Sequence, residues 1–371
     1  MANFPIYLPW NPDLTHFVME HAREELYLLD VQLGSVCNAM CPRCDSACCD
    51  LDEPASIDLE ALSSLAAEIN QHHYDLGKNT DIGVLPGGRN FGFICGLGEP
   101  TVAHNMVKFK EILAHTAKHD FSWSIFTNGI YWDDELETYL KSGRLFVMIQ
   151  YNSRKPELIA DMLGVGPERA AEHLRNRMHL QKLAKHLNEW HRERTGANFA
   201  GVAASIVPER DNLDELMDII IECDKYGIFP LIGELEHAGH ATDKYYEDHK
   251  LHNHELRTLY QQIERHCGVE YEMPTCPATI GAIHINNRNI VTVDKFTGLS
   301  CGWFGMGDPE IHEIGDIRKM SYHEIVQAIL EYRESRIPSV RCAIKEYPDM
   351  IFGGCGGNAR KLLTDYVALY N

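Results

Sequence analysis

The chain lacks an excess of basic charge, a long apolar run and an export signal. Its 34 Lys and Arg are set against 54 Asp and Glu, a net charge of −20. Nucleic-acid binding depends on clustered Lys and Arg that neutralise phosphates, so this balance argues against a nucleic-acid partner. The most basic stretch, Arg169 to Arg194, is interleaved with Glu and His at helical spacing and reads as a solvated helix face. No run approaches the roughly 20 apolar residues that span a bilayer. No basic N-terminal segment leads into an apolar one. The expectation is a cytoplasmic protein with no membrane partner. Fixed-period repeats and low-complexity linkers are also missing.

Cysteine is plentiful by contrast, with 12 residues in a chain of 371. Cytosolic thiols are kept reduced, so a disulfide framework is not expected and metal or cluster ligation becomes the leading explanation. The length is generous for one domain and suits a barrel with an appended smaller unit. Hydrophobic residues at 44% and charged residues at 24% allow a sizeable core.

Six short runs rich in β-branched and aromatic residues recur, most followed by a turn and a helical pattern, which means parallel βα units. They predict strands over 26–33, 91–95, 122–127, 145–151, 201–207 and 229–234. Helices are predicted over 57–69 behind Ser56, 106–119, 135–141, 167–194 with Pro167 at its first position, and 213–226 behind Asn212 with Glu215 three residues on. After about residue 236 the rhythm breaks into a His-rich polar stretch. A helix near 255–267, strand-like pairs at 280–285 and 289–293, a helix near 322–332 and a Gly-rich end follow. The expected division is an N-terminal extension over 1–25, the barrel over 26–240 and a second domain over 241–371. In the extension, Leu8, Pro9 and Trp10 form an apolar stretch expected to pack on the barrel.

Parallel βα proteins gather their chemistry on loops at the C-terminal ends of the strands. The first predicted strand runs into CNAMCPRC, which holds Cys37, Cys41 and Cys44. Thiolates so spaced converge on a soft metal or an iron–sulfur cluster, and three ligands leave one iron of a cubane open. A zinc knuckle with a distant fourth ligand, or unligated buried thiols, are the alternatives. The second strand ends in CGLGEPT, where Gly96 and Gly98 let the backbone approach a ligand closely. It is not a dinucleotide fingerprint, because Thr101 stands where a third Gly would be.

CNAMCPRC, GLGEPT and the TNG at Thr127 to Gly129 together resemble the radical S-adenosylmethionine (SAM) superfamily. The resemblance implies an α/β fold, a partial (β/α)6 TIM-type barrel with a C-terminal α+β auxiliary-cluster domain. It further implies that Cys37, Cys41 and Cys44 bind a 4Fe-4S cluster, and that SAM chelates the fourth iron and is cleaved to a 5′-deoxyadenosyl radical. Gly96, Gly98, Glu99, Pro100 and Asn128 fall in the segments expected to bind SAM. Gln150 and Ser205 are added by position, as strand-end contacts to ribose or carboxylate. Arg43 stands where the family usually has an aromatic or apolar residue against adenine, a role that a stacked guanidinium retains. Glu234 and Glu236, at the mouth of the sixth strand, are candidate substrate ligands or proton acceptors.

Downstream, Cys276, Cys301, Cys342 and Cys355 supply enough thiolates for one auxiliary 4Fe-4S cluster. Their context, NIVTVDKFTGLSC, HEIGDI and FGGCGG, resembles the SPASM and twitch domains, although a CxxC pair after Cys342 is missing. Cys223 and Cys267 fall at apolar helix positions and read as structural, and Cys48 and Cys49 fit no pattern. His237, His240, His249, His252 and His254 read as a charged crossover and not as a metal site.

An auxiliary cluster beside a radical site accepts the electron that leaves when a product is oxidised. The expected reaction is therefore a dehydrogenase-type oxidation, with an external electron donor such as flavodoxin or ferredoxin. Only 36 residues precede Cys37, too few for a peptide-recognition domain, so the first expectation for substrate is a small polar metabolite of the sugar or aminocyclitol kind. Maturation of a ribosomally made peptide is the alternative. A non-catalytic zinc or iron–sulfur module is the reading from a different class.

Overall fold

The structure, a computed structural model, describes residues 6–7, 26, 28–44, 47–48, 56–76, 90–94, 97–195, 199–233, 235, 239–267, 281–295, 298–300 and 311–336. Its strands are β1 (Ile6–Tyr7), β2 (Leu28–Val31), β3 (Asn90–Ile94), β4 (Phe121–Thr127), β5 (Leu145–Gln150), β6 (Phe199–Ala200), β7 (Val202–Ile206), β8 (Phe229–Ile232), β9 (Ala282–Ile285), β10 (Ile290–Asp294) and β11 (Ile311–Asp316). The helices are α1 (Leu59–Leu76), α2 (Ala103–Ala117), α3 (Asp134–Lys141), α4 (Pro156–Leu163), α5 (Pro167–Thr195), α6 (Leu216–Tyr226), α7 (Asp243–His249), α8 (Asn253–Cys267) and α9 (Tyr322–Arg336).

Nine strands form one sheet in the order β11-β10-β9-β2-β3-β4-β5-β7-β8. The six from β2 to β8 are parallel throughout, as the alternating βα pattern requires. They match the six predicted strands within a few residues. Strand β9 adds to the free edge of β2 in parallel, with Leu28 opposite Ala282 and Val31 opposite Ile285. Strands β10 and β11 continue from it antiparallel. The strands after residue 281 thus extend the barrel's own sheet.

The two faces of the sheet differ in chemistry. Leu29, Val31, Ile94, Ile125, Val147, Ile149, Val202, Ala204 and Ile206 belong to one apolar core that also takes in the inward stripes of the helices. Their alternates, among them Asp30, Phe93, Ser124, Phe146, Met148, Gln150 and Ser205, face the opposite way. Burial on both faces explains why these strands read as near-continuous apolar runs.

Two local expectations are corrected. Helix α1 is capped by Asp58, whose Oδ1 accepts from Glu60 N at 3.1 Å and Ala61 N at 3.0 Å, while Ser56 donates to Asn287 O instead. Residues 213–215 form a turn before α6 because both candidate capping groups are engaged elsewhere. Asn212 donates to Asn152 O at 2.8 Å, and Glu215 accepts from Ser153 Oγ and Arg154 N. Helix α5 presents the expected solvated face, with Arg169, Arg175 and His179 exposed, and on its other side buries a stripe of Ala170, His173, Arg177, Gln181, Ala184 and Leu187.

Candidate functional site

The loop leaving β2 carries Cys37, Cys41 and Cys44, all half-buried. It is shaped from below by two glycines in the left-handed region. Gly98, at φ +64°, lies so close that a Cβ there would come within 2.2 Å of Gly34 O, and Glu99 N donates to Val36 O at 2.9 Å. Gly164, which ends α4 at φ +60°, lets Met40 N donate to Leu163 O at 2.9 Å, and a Cβ there would meet Met40 O at 2.1 Å. Both positions need the glycine that side-chain-bearing residues cannot replace without moving the loop.

Behind this loop, Glu99 ties the second and third strand ends together. Its buried carboxylate accepts from Thr101 N at 3.0 Å, Thr101 Oγ1 at 2.7 Å, Thr127 Oγ1 at 2.7 Å and Asn128 N at 2.6 Å. Burial raises its pKa, and the four donors oppose that rise. Pro100, also buried, forms the turn into α2. Asn128 donates through Nδ2 to Asn38 Oδ1 at 2.7 Å and lies 4.0 Å from Cys37 Sγ. The GLGEPT and TNG segments therefore both touch the cysteine loop. Gln150 and Ser205 are register partners at the ends of β5 and β7, and Gln150 Oε1 has no hydrogen-bond partner among the described residues.

Arg43 turns away from solvent to pair with the buried Glu209, just beyond β7. Tyr245 on α7 donates to the other oxygen of Glu209 at 2.8 Å. His240 sits on the same loop, its backbone N donating to Cys44 O at 2.8 Å. The sequence pointed to none of these partners, because Arg43 and Glu209 are 166 residues apart. Cys48 is different. Its thiol lies 3.9 Å from Cys44 Sγ, and the four-residue step from Cys44 was visible in the sequence.

Burial, with neighbouring thiols adding to it and Arg43 opposing, pushes the Cys41 thiol up to about 12. Cys48 is pushed up to about 11, chiefly by its hydrogen bond with Cys37. Metal binding displaces the protons of thiols held in this way and releases them to solvent, so the metal–sulfur bond supplies the favourable term. Three soft sulfur donors on one loop fit an iron–sulfur cluster. Gly96, Glu234, Glu236, Cys49, Cys276, Cys301, Cys342 and Cys355 lie outside the described residues.

His173 braces the TNG segment, its Nδ1 lying 2.6 Å from Asn128 O. Burial first and the Arg177 charge second lower its pKa to about 4. The folded chain keeps this ring neutral while the unfolded chain protonates it near 6.5. Stability is therefore complete above pH 6.5 and is lost progressively as the pH falls towards 4. At pH 5 the expected loss is about 2 kcal/mol. Urea midpoints at pH 7.5 and pH 5 check this: the fall is expected to be larger in the natural protein than in His173→Gln, and equal falls would exclude His173 as the cause.

No family model and no curated protein matches the sequence. Solved structures do match the fold. Streptococcus suis SuiB bound to S-adenosylmethionine aligns at 14% identity over 89% of this chain and 73% of that chain, with a TM-score of 0.58. The anSMEcpe protein with bound AdoMet and Cp18Cys peptide aligns at 13% identity over 84% and 82%, with a TM-score of 0.53. SuiB bound to its precursor peptide SuiA aligns at 13% identity over 81% and 65%, with a TM-score of 0.50. The chain has the fold of these proteins, the α/β partial barrel that the resemblance to radical SAM enzymes implied.

Proposed function

We propose that this protein is a radical SAM enzyme that oxidises its substrate. The observation that carries the reading is the meeting of three thiols on one loop, Cys37, Cys41 and Cys44, with the GLGEP backbone and Asn128 at the C-terminal ends of β2, β3 and β4. Cys37, Cys41 and Cys44 would hold the cluster, and the backbone of Gly96 to Pro100, Asn128, Gln150 and Ser205 would hold SAM. When bound, the cluster and SAM supply a 5′-deoxyadenosyl radical that abstracts a substrate hydrogen. The chain's own part is to bind, orient and exclude water. Gln150, with its unsatisfied oxygen, offers an acceptor to a ligand hydroxyl or amine.

Cys276, Cys301, Cys342 and Cys355 would ligate an auxiliary 4Fe-4S cluster that takes the second electron, with Glu234 or Glu236 as the proton acceptor. A flavodoxin or ferredoxin type of donor would supply the reducing electron. A cleft of about 950 Å³ lies beside the loop, bordered by Cys37, Met40, His104 and Arg169. The first reading for the substrate is a small polar metabolite. Peptide maturation is the second, supported by the SuiB structure with SuiA and the anSMEcpe structure with Cp18Cys peptide. A short precursor gene beside this one would favour the second.

The test is chemical. Anaerobically reconstituted protein, reduced with dithionite in the presence of SAM, is expected to release 5′-deoxyadenosine and methionine in equal amounts. Zinc without iron in such protein, and intact SAM, would leave only a metal-binding module.

A further inference from the structure

The His-rich segment read from sequence as a mere crossover is built into the cysteine loop. His240 N donates to Cys44 O at 2.8 Å, and His240 Nδ1 lies 3.3 Å from Cys41 O. Two of the three expected ligands are thus held through their own carbonyls by one residue. Five positions on, Tyr245 donates to Glu209 Oε2 at 2.8 Å, while Glu209 Oε1 takes the Arg43 guanidinium between those same two cysteines in sequence. Glu209 is itself fixed, its N donating to Asn212 Oδ1 at 2.8 Å.

The far end of the segment is anchored as well. Arg210 N donates to His249 O at 2.9 Å, His249 Nδ1 meets Asp211 Oδ2 at 2.6 Å, and the Tyr245 and His249 rings stack 4.1 Å apart. The segment therefore bridges the residues beyond β7 and the loop beyond β2. At its centre is a carboxylate with no exposed surface, each oxygen answered by a different element. Removing one donor from such a group leaves a buried charge short of a partner, a cost that falls on whatever the group was holding.

We propose that residues 239–250 are a strap that keeps the cysteine loop closed on its cluster, with Tyr245, acting through Glu209 on Arg43, and His240 as its positioning residues. The proposal rests on the radical SAM reading and adds to it what determines retention of the cluster. In this arrangement Arg43 is a structural tie between loop and strap.

Iron release separates the possibilities. The reconstituted full chain is mixed anaerobically with bathophenanthroline disulfonate, and the coloured ferrous complex is followed in the natural protein, Tyr245→Phe and His240→Ala. The same substitutions are also made in a background with Cys37, Cys41 and Cys44 all changed to Ala. Release is expected to be about tenfold faster in Tyr245→Phe, as suits one lost hydrogen bond to a buried charge. The electron paramagnetic resonance signal of the reduced cluster should shift with it, and His240→Ala should move both readouts in the same direction by less. In the triple-Ala background neither substitution should change the release of the remaining iron.

Equal release from the natural protein and both variants would overturn the strap and leave the radical SAM reading standing. Faster release in the triple-Ala background as well would also overturn it, since the effect would then be general loosening. Identical iron content with and without the three cysteines would remove the radical SAM reading, and the strap with it. His240→Ala alters a partly exposed side chain, so it provides the comparison if Tyr245→Phe does not fold.

Discussion

Changing Cys37, Cys41 and Cys44 together to alanine is expected to lower the iron of anaerobically reconstituted protein from about eight to about four per chain and to abolish SAM cleavage. The argument is one of donors. No other described thiol near the loop can replace all three, since Cys48 alone would remain, with the Asn38 and Asn128 amides where Cys37 had been. One thiolate does not hold a cubane, and oxygen and nitrogen donors of this kind suit harder ions. The four irons that persist would belong to Cys276, Cys301, Cys342 and Cys355. A fall from about four to none would instead make those four cysteines structural and turn the reaction towards redox-neutral chemistry. Iron unchanged by the triple substitution would end the radical SAM assignment.

The second large effect is expected from Glu99→Ala. Four donors converge on this carboxylate, two of them backbone amides, and all lie in buried surroundings. Alanine leaves Thr101 N and Asn128 N without an acceptor, at about 1–3 kcal/mol for each buried orphan. A stability loss of about 3 kcal/mol or more should appear as a lower urea midpoint with an unchanged slope. The same substitution frees the TNG turn from the GLGEP turn, so SAM affinity should fall more than tenfold, measured by equilibrium dialysis. Glu99→Gln should lie between, because its carbonyl oxygen still accepts while its amide faces donors. A normal midpoint with normal SAM binding in Glu99→Ala would show that the two turns are held by the loop backbone alone.

What the sequence made legible follows the range of the interactions involved. The six parallel strands were readable because burial on both faces leaves apolar runs that no neighbour is needed to interpret. The cysteine loop and GLGEP were readable because their parts lie within a few residues of one another. Helix α4 was not anticipated, although Ile159, Met162 and Leu163 recur at helical spacing behind Pro156. The capping of α1 by Asp58 in place of Ser56, and the turn where Asn212 and Glu215 had suggested a cap, were decided by partners on other elements. Glu209 and Tyr245 were invisible for the same reason: a buried glutamate and an aromatic residue have no meaning until Arg43 is brought to them by the fold. The polar stripe of α5 was hidden because His173, Arg177 and Gln181 look solvated in sequence, and become inner residues only through the carbonyls and rings they meet.

The parallel pairing of β9 on β2 also sets an order in time. Asp30 and His284 meet across this pair at a separation of 254 residues. At about 5–20 residues per second, a ribosome takes roughly 13 to 50 s to reach His284 after it has made Asp30. During that interval β2, the strand that launches the cysteine loop, has one row of backbone groups without its final partner, the kind of exposed border that invites association between chains. So long-range a contact also slows folding, because loop closure must come before its reward. The nascent barrel is therefore most vulnerable at the strand that leads into its cysteine loop, and slower translation or prompt delivery of the C-terminal strands should govern how much soluble protein a cell accumulates.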